Sequence, residues 1–325
     1  MKQKIIELAK RYDADVVGFA SIERFDKGDA IFDIMPSVKT VIGLGFRVLR
    51  GAYRTVEEGT TYYQYTTMGI ENLEETVMPL ALINVSNLIE EEGFLAIPQR
   101  RNQLIMNEAE GTNPEVDFEF VRHGVTAEHQ IDFIDCAVKC GLGERSIKNT
   151  IINNEYGPFI RYCFILTDAV IEQTELEEPS LCDNCGECIK ACHGGAIGED
   201  GTVDTWRCAV YYNGANGSKN PFMPPEAYIG FDNRLDIING VAEFSVEEAQ
   251  DILRATYFYP PSKHFYRTSI CGRACDRACY IHLEEKGVLK KSFKTKFREG
   301  EDWKLSTKQY ETLKREKEWD FTKDE

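Results

Sequence analysis

Four cysteines constrain this chain most tightly: Cys182, Cys185, Cys188 and Cys192, spaced C-x2-C-x2-C-x3-C. The physical demand behind that spacing is compactness. A short loop has to wrap one metal cube and set three thiolates on three irons, and the fourth cysteine opens a helix that leads away. A second group follows at Cys271, Cys275 and Cys279, spaced C-x3-C-x3-C, with Cys208 lying between the groups. On one helix this second group falls at i, i+4 and i+8, a stripe that drifts roughly 40° per step. A helical stripe of small apolar residues is the ordinary alternative. The Arg-Ala pairs between these cysteines (Arg273-Ala274, Arg277-Ala278) and the need for four more ligands favour metal, and Cys208 brings the count to eight.

Composition decides what kind of cysteine chemistry to expect. The first residues place charges inside every short apolar stretch, as an amphipathic helix does and a signal peptide does not. No uncharged apolar run reaches the roughly 18 residues of a membrane span, and Arg100-Arg101 lacks the apolar stretch of an export signal. The expectation is therefore a cytoplasmic protein with no membrane association, where disulfides are disfavoured and clustered cysteines indicate metal. Thirty-eight cations against 54 carboxylates give a net charge of −16. That argues against broad nucleic-acid binding, which needs cations to displace phosphate counterions. It leaves room for a local basic patch, and Lys286, Lys290, Lys291, Lys294, Lys296 and Arg298 form one.

At 325 residues with 42% apolar content, two domains are expected. Helices are expected at 2–12, 68–92, 128–140 and 245–256, and strands at 15–20, 40–46, 94–97 and 159–167, the third stopping at Pro98. The long helix carries Leu73, Val77, Leu80, Ile83, Val85 and Leu88 at helical spacing and ends at Gly93, a natural C-cap. Helices and strands alternate to about residue 170. An acidic stretch over 172–187, broken by Pro179-Ser180, then marks a boundary. The organisation read from this is an α/β domain over 1–170, a two-cluster domain over 171–285 with a long insertion at 209–270, and a charged tail over 286–325. Residues 213–240, rich in Gly, Asn and Pro, read as a long loop, and the tail as solvated and partly helical.

The first cysteine run has the spacing of bacterial ferredoxins, in which the fourth cysteine serves the other cluster. By that rule one 4Fe–4S cluster takes Cys182, Cys185, Cys188 and Cys279, and a second takes Cys192, Cys208, Cys271 and Cys275. His193 stands where ferredoxins usually carry proline. It can be innocuous, hydrogen-bond a sulfide and raise the potential, or be a ligand. Cys136, Cys140 and Cys163 lie in apolar periodic stretches and read as core thiols; a further metal site at Cys136 and Cys140 is the alternative.

A wider resemblance rests on more of the chain. Beside the cysteine groups and the lone Arg207-Cys208, the segments Gly141-Leu142-Gly143-Glu144-Arg145-Ser146-Ile147-Lys148-Asn149-Thr150, Glu155-Tyr156-Gly157-Pro158 and Leu166-Thr167-Asp168-Ala169 carry it. Over about residues 5–285 the chain resembles the epoxyqueuosine reductase/reductive dehalogenase superfamily. The resemblance implies an α+β fold, a nitroreductase-like α/β domain carrying a corrinoid, followed by a ferredoxin-like module with two 4Fe–4S clusters. It implies a cobalamin-dependent reductase of a small molecule, fed one electron at a time by a ferredoxin- or flavodoxin-type donor, with a protein acid supplying the proton. Gly141, Gly143, Lys148, Tyr156, Gly157 and Arg161 are then the corrinoid-binding candidates. His129 and Tyr63, with Tyr62 and Tyr65 beside the latter, are the candidate proton donors. Aromatic packing, capping and solvent exposure are the ordinary roles for the same side chains. Two other readings stay open: an electron-transfer protein serving a separate corrinoid or flavin enzyme, and a tRNA-modifying reductase. The family's tRNA enzymes extend past the clusters into a helical tRNA-binding region, where this chain has a short charged tail, and its dehalogenases carry an export signal. A homodimer is among the open assembly states.

Overall fold

Lys2–Arg11 forms α1 because Ile5 and Ala9 share one face and are fully buried, while Lys10 and Arg11 sit in the last turn, where the helix dipole favours cations. The structure is a computed structural model that describes residues 1–100, 130–256, 258 and 268–298. His129, part of the 209–270 insertion and the tail beyond 298 lie outside these residues.

A four-stranded antiparallel sheet follows: β1 (Val16–Ser21), β2 (Thr40–Arg47), β3 (Ala96–Gln99) and β6 (Ile160–Thr167), in the order β1-β2-β6-β3. A small hairpin of β4 (Glu144–Arg145) and β5 (Ile151–Ile152) stands apart. Strand alternation splits the core into two layers. Ile42, Leu44, Phe46, Cys163 and Ile165 pack against α1 and α5 (Met78–Glu91). Val41, Phe164 and Leu166 pack on the other face against α2 (Ala30–Ile34) and α6 (Phe133–Lys139). Gly18 is required here, since a Cβ would lie 2.1 Å from the Cys140 carbonyl oxygen.

Two expectations need correction. The third strand does not stop at Pro98: it runs through it, with Pro98 opposite Ile165, and β3 is an edge strand that tolerates the missing N–H. The helix expected over 68–92 starts instead at α4 (Tyr63–Thr66) and passes through two π-helical turns, Thr67–Glu71 and Leu73–Val77, before α5. Those wider turns shift the apolar face. Met78, Ala81, Leu82, Val85 and Ile89 are buried, whereas Leu80 and Ile83 are 49% and 53% exposed.

The second half contains α7 (Glu187–Lys190), α8 (Thr205–Tyr212), α9 (Arg234–Asn239), α10 (Val246–Ala255) and α11 (Ala274–Lys286). Residues 213–240 are more than a loop: α9 forms within them, and Ala215, Met223, Ala227, Tyr228, Ile237 and Ile238 join Trp206, Val210 and Tyr211 of α8 in one core. A further aromatic core ties α11 to the first half. There Phe159 stacks between Tyr53 of α3 (Arg50–Glu57), at 3.9 Å, and Tyr280 of α11, at 4.3 Å. Phe297, fully buried, closes this core, so the start of the basic tail is packed rather than solvated. Among the described residues no helix is long and apolar enough to cross a membrane.

Candidate metal centre and adjoining cavity

All eleven cysteines are free thiols, and eight of them converge on the region between α7, α8 and α11. Cys182, Cys185, Cys188 and Cys279 line one cavity with Ser146, Ile147, Lys148 and Gly186. Gly186 turns the chain into α7 with φ of 76°, a left-handed angle that glycine adopts without strain. The Ile147 backbone N–H donates to Cys182 Sγ at 3.4 Å. Glu144 fixes the entrance to this loop, its carboxylate accepting the backbone N–H groups of Ser180 (2.6 Å), Leu181 (3.0 Å) and Cys182 (2.7 Å).

The other four thiols also face one another. Cys208 lies within electrostatic reach of Cys275 and Cys192, and Cys271 of Cys275 and Cys208. Burial pushes the free thiols up, Cys208 to about 11 and Cys271 and Cys279 to about 12. Metal taken up here has to displace those protons. Backbone N–H groups point at the sulfurs again, from Ala196 to Cys192 (3.2 Å) and from Ala274 to Cys271 (3.5 Å). The C-x3-C-x3-C stripe is not all helical, because α11 begins at Ala274. Gly272 (φ 47°) and Arg273 (φ 50°) are both left-handed and swing Cys271 off the helix that carries Cys275 and Cys279. Two sets of four soft donors with N–H groups aimed at sulfur fit two thiolate-held iron–sulfur clusters.

Next to this region a cavity of about 150 Å3 opens beneath the sheet. Arg100, Arg161, Arg273, Glu74 and Asp276 supply its charged wall, and Met78, Phe133, Ile134, Ile151 and Ile160 much of its apolar wall. Arg161 Nε pairs with Glu74 at 3.2 Å, and its Nη2 lies 3.5 Å from the Tyr65 hydroxyl. Asp276 pairs with both Arg273 and the buried Lys148. Burial alone would raise the Asp276 carboxyl, but Arg273, Lys148 and Arg161 outweigh it and bring it to about 2. Lys148 therefore lines the cysteine cavity and grips a wall residue of the neighbouring one.

Of the residues expected to touch a corrinoid, Arg161 lines the 150 Å3 cavity; Gly141, Gly143, Lys148, Tyr156 and Gly157 are not among its lining residues. Local packing and turns also fix these residues. A Cβ on Gly143 would meet the Ile152 carbonyl oxygen at 2.5 Å, and Gly141 and Gly157 are left-handed turns with φ of 73° and 57°. The Tyr156 hydroxyl donates to Asp15 Oδ1 (2.9 Å) and accepts from Lys291 Nζ (2.6 Å). Tyr63 opens α4 and is not among the cavity's lining residues; Tyr65 is the tyrosine that meets Arg161. His129 lies outside the described residues. Sequence reasoning missed Glu144, Arg273 and Asp276, although the first sits inside the quoted Gly-Leu-Gly segment and the other two flank Cys275.

No known family profile matches the chain. An epoxyqueuosine reductase of Prochlorococcus marinus (strain NATL2A) is 30% identical over 76 residues, which is 23% of this chain and 24% of that protein. The match thus spans about a quarter of the curated relative. The epoxyqueuosine reductase structure from Streptococcus thermophilus aligns with a TM-score of 0.44 at 15% identity, covering 78% of this chain and 66% of that one. A catabolic reductive dehalogenase, solved in complex with 3-bromo-4-hydroxybenzoic acid, aligns with a TM-score of 0.43 at 16% identity, covering 77% and 35%. By its cysteine and Gly-Leu-Gly motifs and the curated match, the chain resembles the epoxyqueuosine reductase/reductive dehalogenase superfamily.

Proposed function

We propose that the chain is an iron–sulfur oxidoreductase that holds two 4Fe–4S clusters and reduces a small acceptor in the Arg161 cavity. In this reading residues 1–170 form a nitroreductase-like acceptor domain and residues 171–285 a ferredoxin-like module. The observation that carries it is the junction at Lys148, which lines the Cys182/Cys185/Cys188/Cys279 cavity and pairs with Asp276 on the wall of the acceptor cavity. The likeness of the motifs to those of known reductases supports it as well.

When bound, the clusters supply one-electron transfer; the chain supplies position and charge. Cys182, Cys185, Cys188 and Cys279 hold one cluster, and Cys192, Cys208, Cys271 and Cys275 the other. Glu144 and the N–H groups of Ile147, Ala196 and Ala274 fix the loops around the sulfurs. Arg161 and Arg273, held in place by Glu74 and Asp276, stand where an acceptor gains electrons, and their positive charge favours its reduced form.

Of the residues that the resemblance assigns to a corrinoid, only Arg161 lines this cavity, and no step is derived through cobalt. That favours a second reading, an electron-transfer protein that feeds a separate corrinoid or flavin enzyme. Metal analysis and a cobalamin titration on anaerobically purified protein test the assignment. The expected result is about eight irons per chain. Stoichiometric cobalamin binding would identify a corrinoid enzyme, its absence would favour the electron-transfer reading, and four or fewer irons would sink the two-cluster reading.

A further inference from the structure

The thirteen residues 286–298 contain six cations (Lys286, Lys290, Lys291, Lys294, Lys296 and Arg298) and no carboxylate, in a chain of net charge −16. They are anchored against the first cysteine cavity. Val288 and Leu289 pack with Cys182 and Cys279 in one apolar cluster around Ile152, Leu181 and Leu283. Cys185, which also lines that cavity, is exposed, with the His282 ring and the Asp183 carboxylate within 4.8 Å of its sulfur. The cationic stretch thus begins beside the one exposed thiol of the first set: Lys286 Nζ pairs with Asp183 at 2.9 Å.

Nearby carboxylates are engaged. Asp183 is held by His282 and Lys286, and Glu187 by Lys190 at 2.7 Å. Glu177 and Glu155 approach Lys290 and Lys291 at 4.0 and 3.7 Å. Lys294 and Lys296 are exposed and form no ion pair among the described residues. Phe293, 51% exposed, lies between them and the rest, with the Arg50 guanidinium stacked over its ring at 4.3 Å. An exposed aromatic in a cationic rim has the anatomy of a transient protein interface, and Lys286 ties this stretch to Asp183 beside the exposed Cys185.

We propose that residues 286–298 and the edge around Cys185 form the docking surface for an acidic one-electron carrier protein, which reduces the first cluster there. This rests on the iron–sulfur reading above. One electron leaves the reduced carrier and enters the oxidised cluster, with no bond made or broken. Charge complementarity selects the occupant, since the rest of this chain carries an excess of negative charge that repels an acidic carrier elsewhere. An RNA stem would meet the same cations, but against that negative field and without need of an exposed thiol.

The test uses the full chain with its clusters reconstituted, an acidic plant-type ferredoxin as donor, and the triple variant Lys290→Glu, Lys294→Glu, Lys296→Glu. Ferredoxin should reduce the wild type with a rate constant that falls steeply with salt. In the variant that rate should drop about ten-fold or more and lose most of its salt dependence. Reduction by dithionite, a small reductant that needs no docking, should be the same in both. Equal ferredoxin rates and salt slopes in wild type and variant would overturn the proposal, as would no ferredoxin reduction of a wild type that dithionite reduces. Low-salt binding of a tRNA stem-loop that the variant loses, with ferredoxin rates unaltered, would overturn it in favour of RNA. A wild type without reducible clusters would instead defeat the functional reading beneath it.

Discussion

Burial means different things for the eleven thiols. Cys136, Cys140 and Cys163 sit in the two layers beside the sheet, and burial first of all, joined at Cys136 by the negative charge of Cys140, Asp135 and Asp132, pushes each far above the ordinary thiol range. The other eight gather in two sets, and backbone N–H groups donate to the sulfurs of Cys182, Cys192 and Cys271 among them. His193 is a residue whose role the sequence raised without resolving. Its Nδ1 is buried with no hydrogen-bond partner among the described residues, and burial, then Arg277 and Lys219, bring the ring down to about 3. Its carbonyl accepts from Asn216 Nδ2 at 2.7 Å, which fixes the backbone beside Cys192. A neutral ring keeps one N–H, and a buried N–H next to cluster sulfur raises a reduction potential by stabilising the added charge. His193→Ala should therefore lower the potential of the second cluster by ~20–60 mV, the equivalent of one hydrogen bond for a one-electron couple. Redox titration followed by electron paramagnetic resonance measures it, and an unchanged potential would show the ring to be packing alone. Tyr63 marks the opposite limit: in a four-residue helix that runs into π turns, no periodicity reveals that Tyr65 is the tyrosine meeting Arg161.

At the scale of elements, strands with continuous apolar runs and helices with clear ends were readable. The sequence places β1, β2 and β6 within a residue or so of where they form, because a sheet covered on both faces demands uninterrupted apolar strands. The π turns before α5 were not readable, since a wider turn leaves apolar residues at spacings that still look α-helical. Neither was the closeness of Gly194 to α8. A Cβ on Gly194 would fall 1.7 Å from Tyr211 Cδ2, and that ring is buried, its hydroxyl donating to the Ile237 carbonyl at 3.1 Å. The ring has nowhere to go, so α8 must move, and α8 carries Cys208. Gly194→Ala should cost about 1–3 kcal/mol through overpacking. On the proposed two-cluster reading it should also leave about four irons per chain, because the Cys192/Cys208/Cys271/Cys275 set loses Cys208's alignment while the other set keeps its own four. Full iron content in that variant would refute the coupling.

Across the whole molecule, the halves are joined by contacts that no local pattern announces. Lys148 meets Asp276 across 128 positions, and Arg277 reaches Glu57 at 2.8 Å across 220. Long separation also hides the role of the tail, which composition alone makes look solvated. Phe297 lies against Phe159 and Tyr280, 5.4 Å from each ring centre, and its backbone N–H donates to Glu284 at 2.7 Å. That places it on the stack that binds Tyr53 of the first half to α11, the helix carrying Cys275 and Cys279. Removing the ring opens a void between the halves, and Phe297→Ala should destabilise the protein by about 3–5 kcal/mol. Phe297→Leu keeps most of the volume and should cost less than about half as much. Because α11 feeds both cysteine sets, the loss should also show as faster release of iron to a chelator at a temperature where the wild type holds it. An unfolding midpoint and iron-release rate equal to wild type would mean that the tail merely lies over a joint already complete without it.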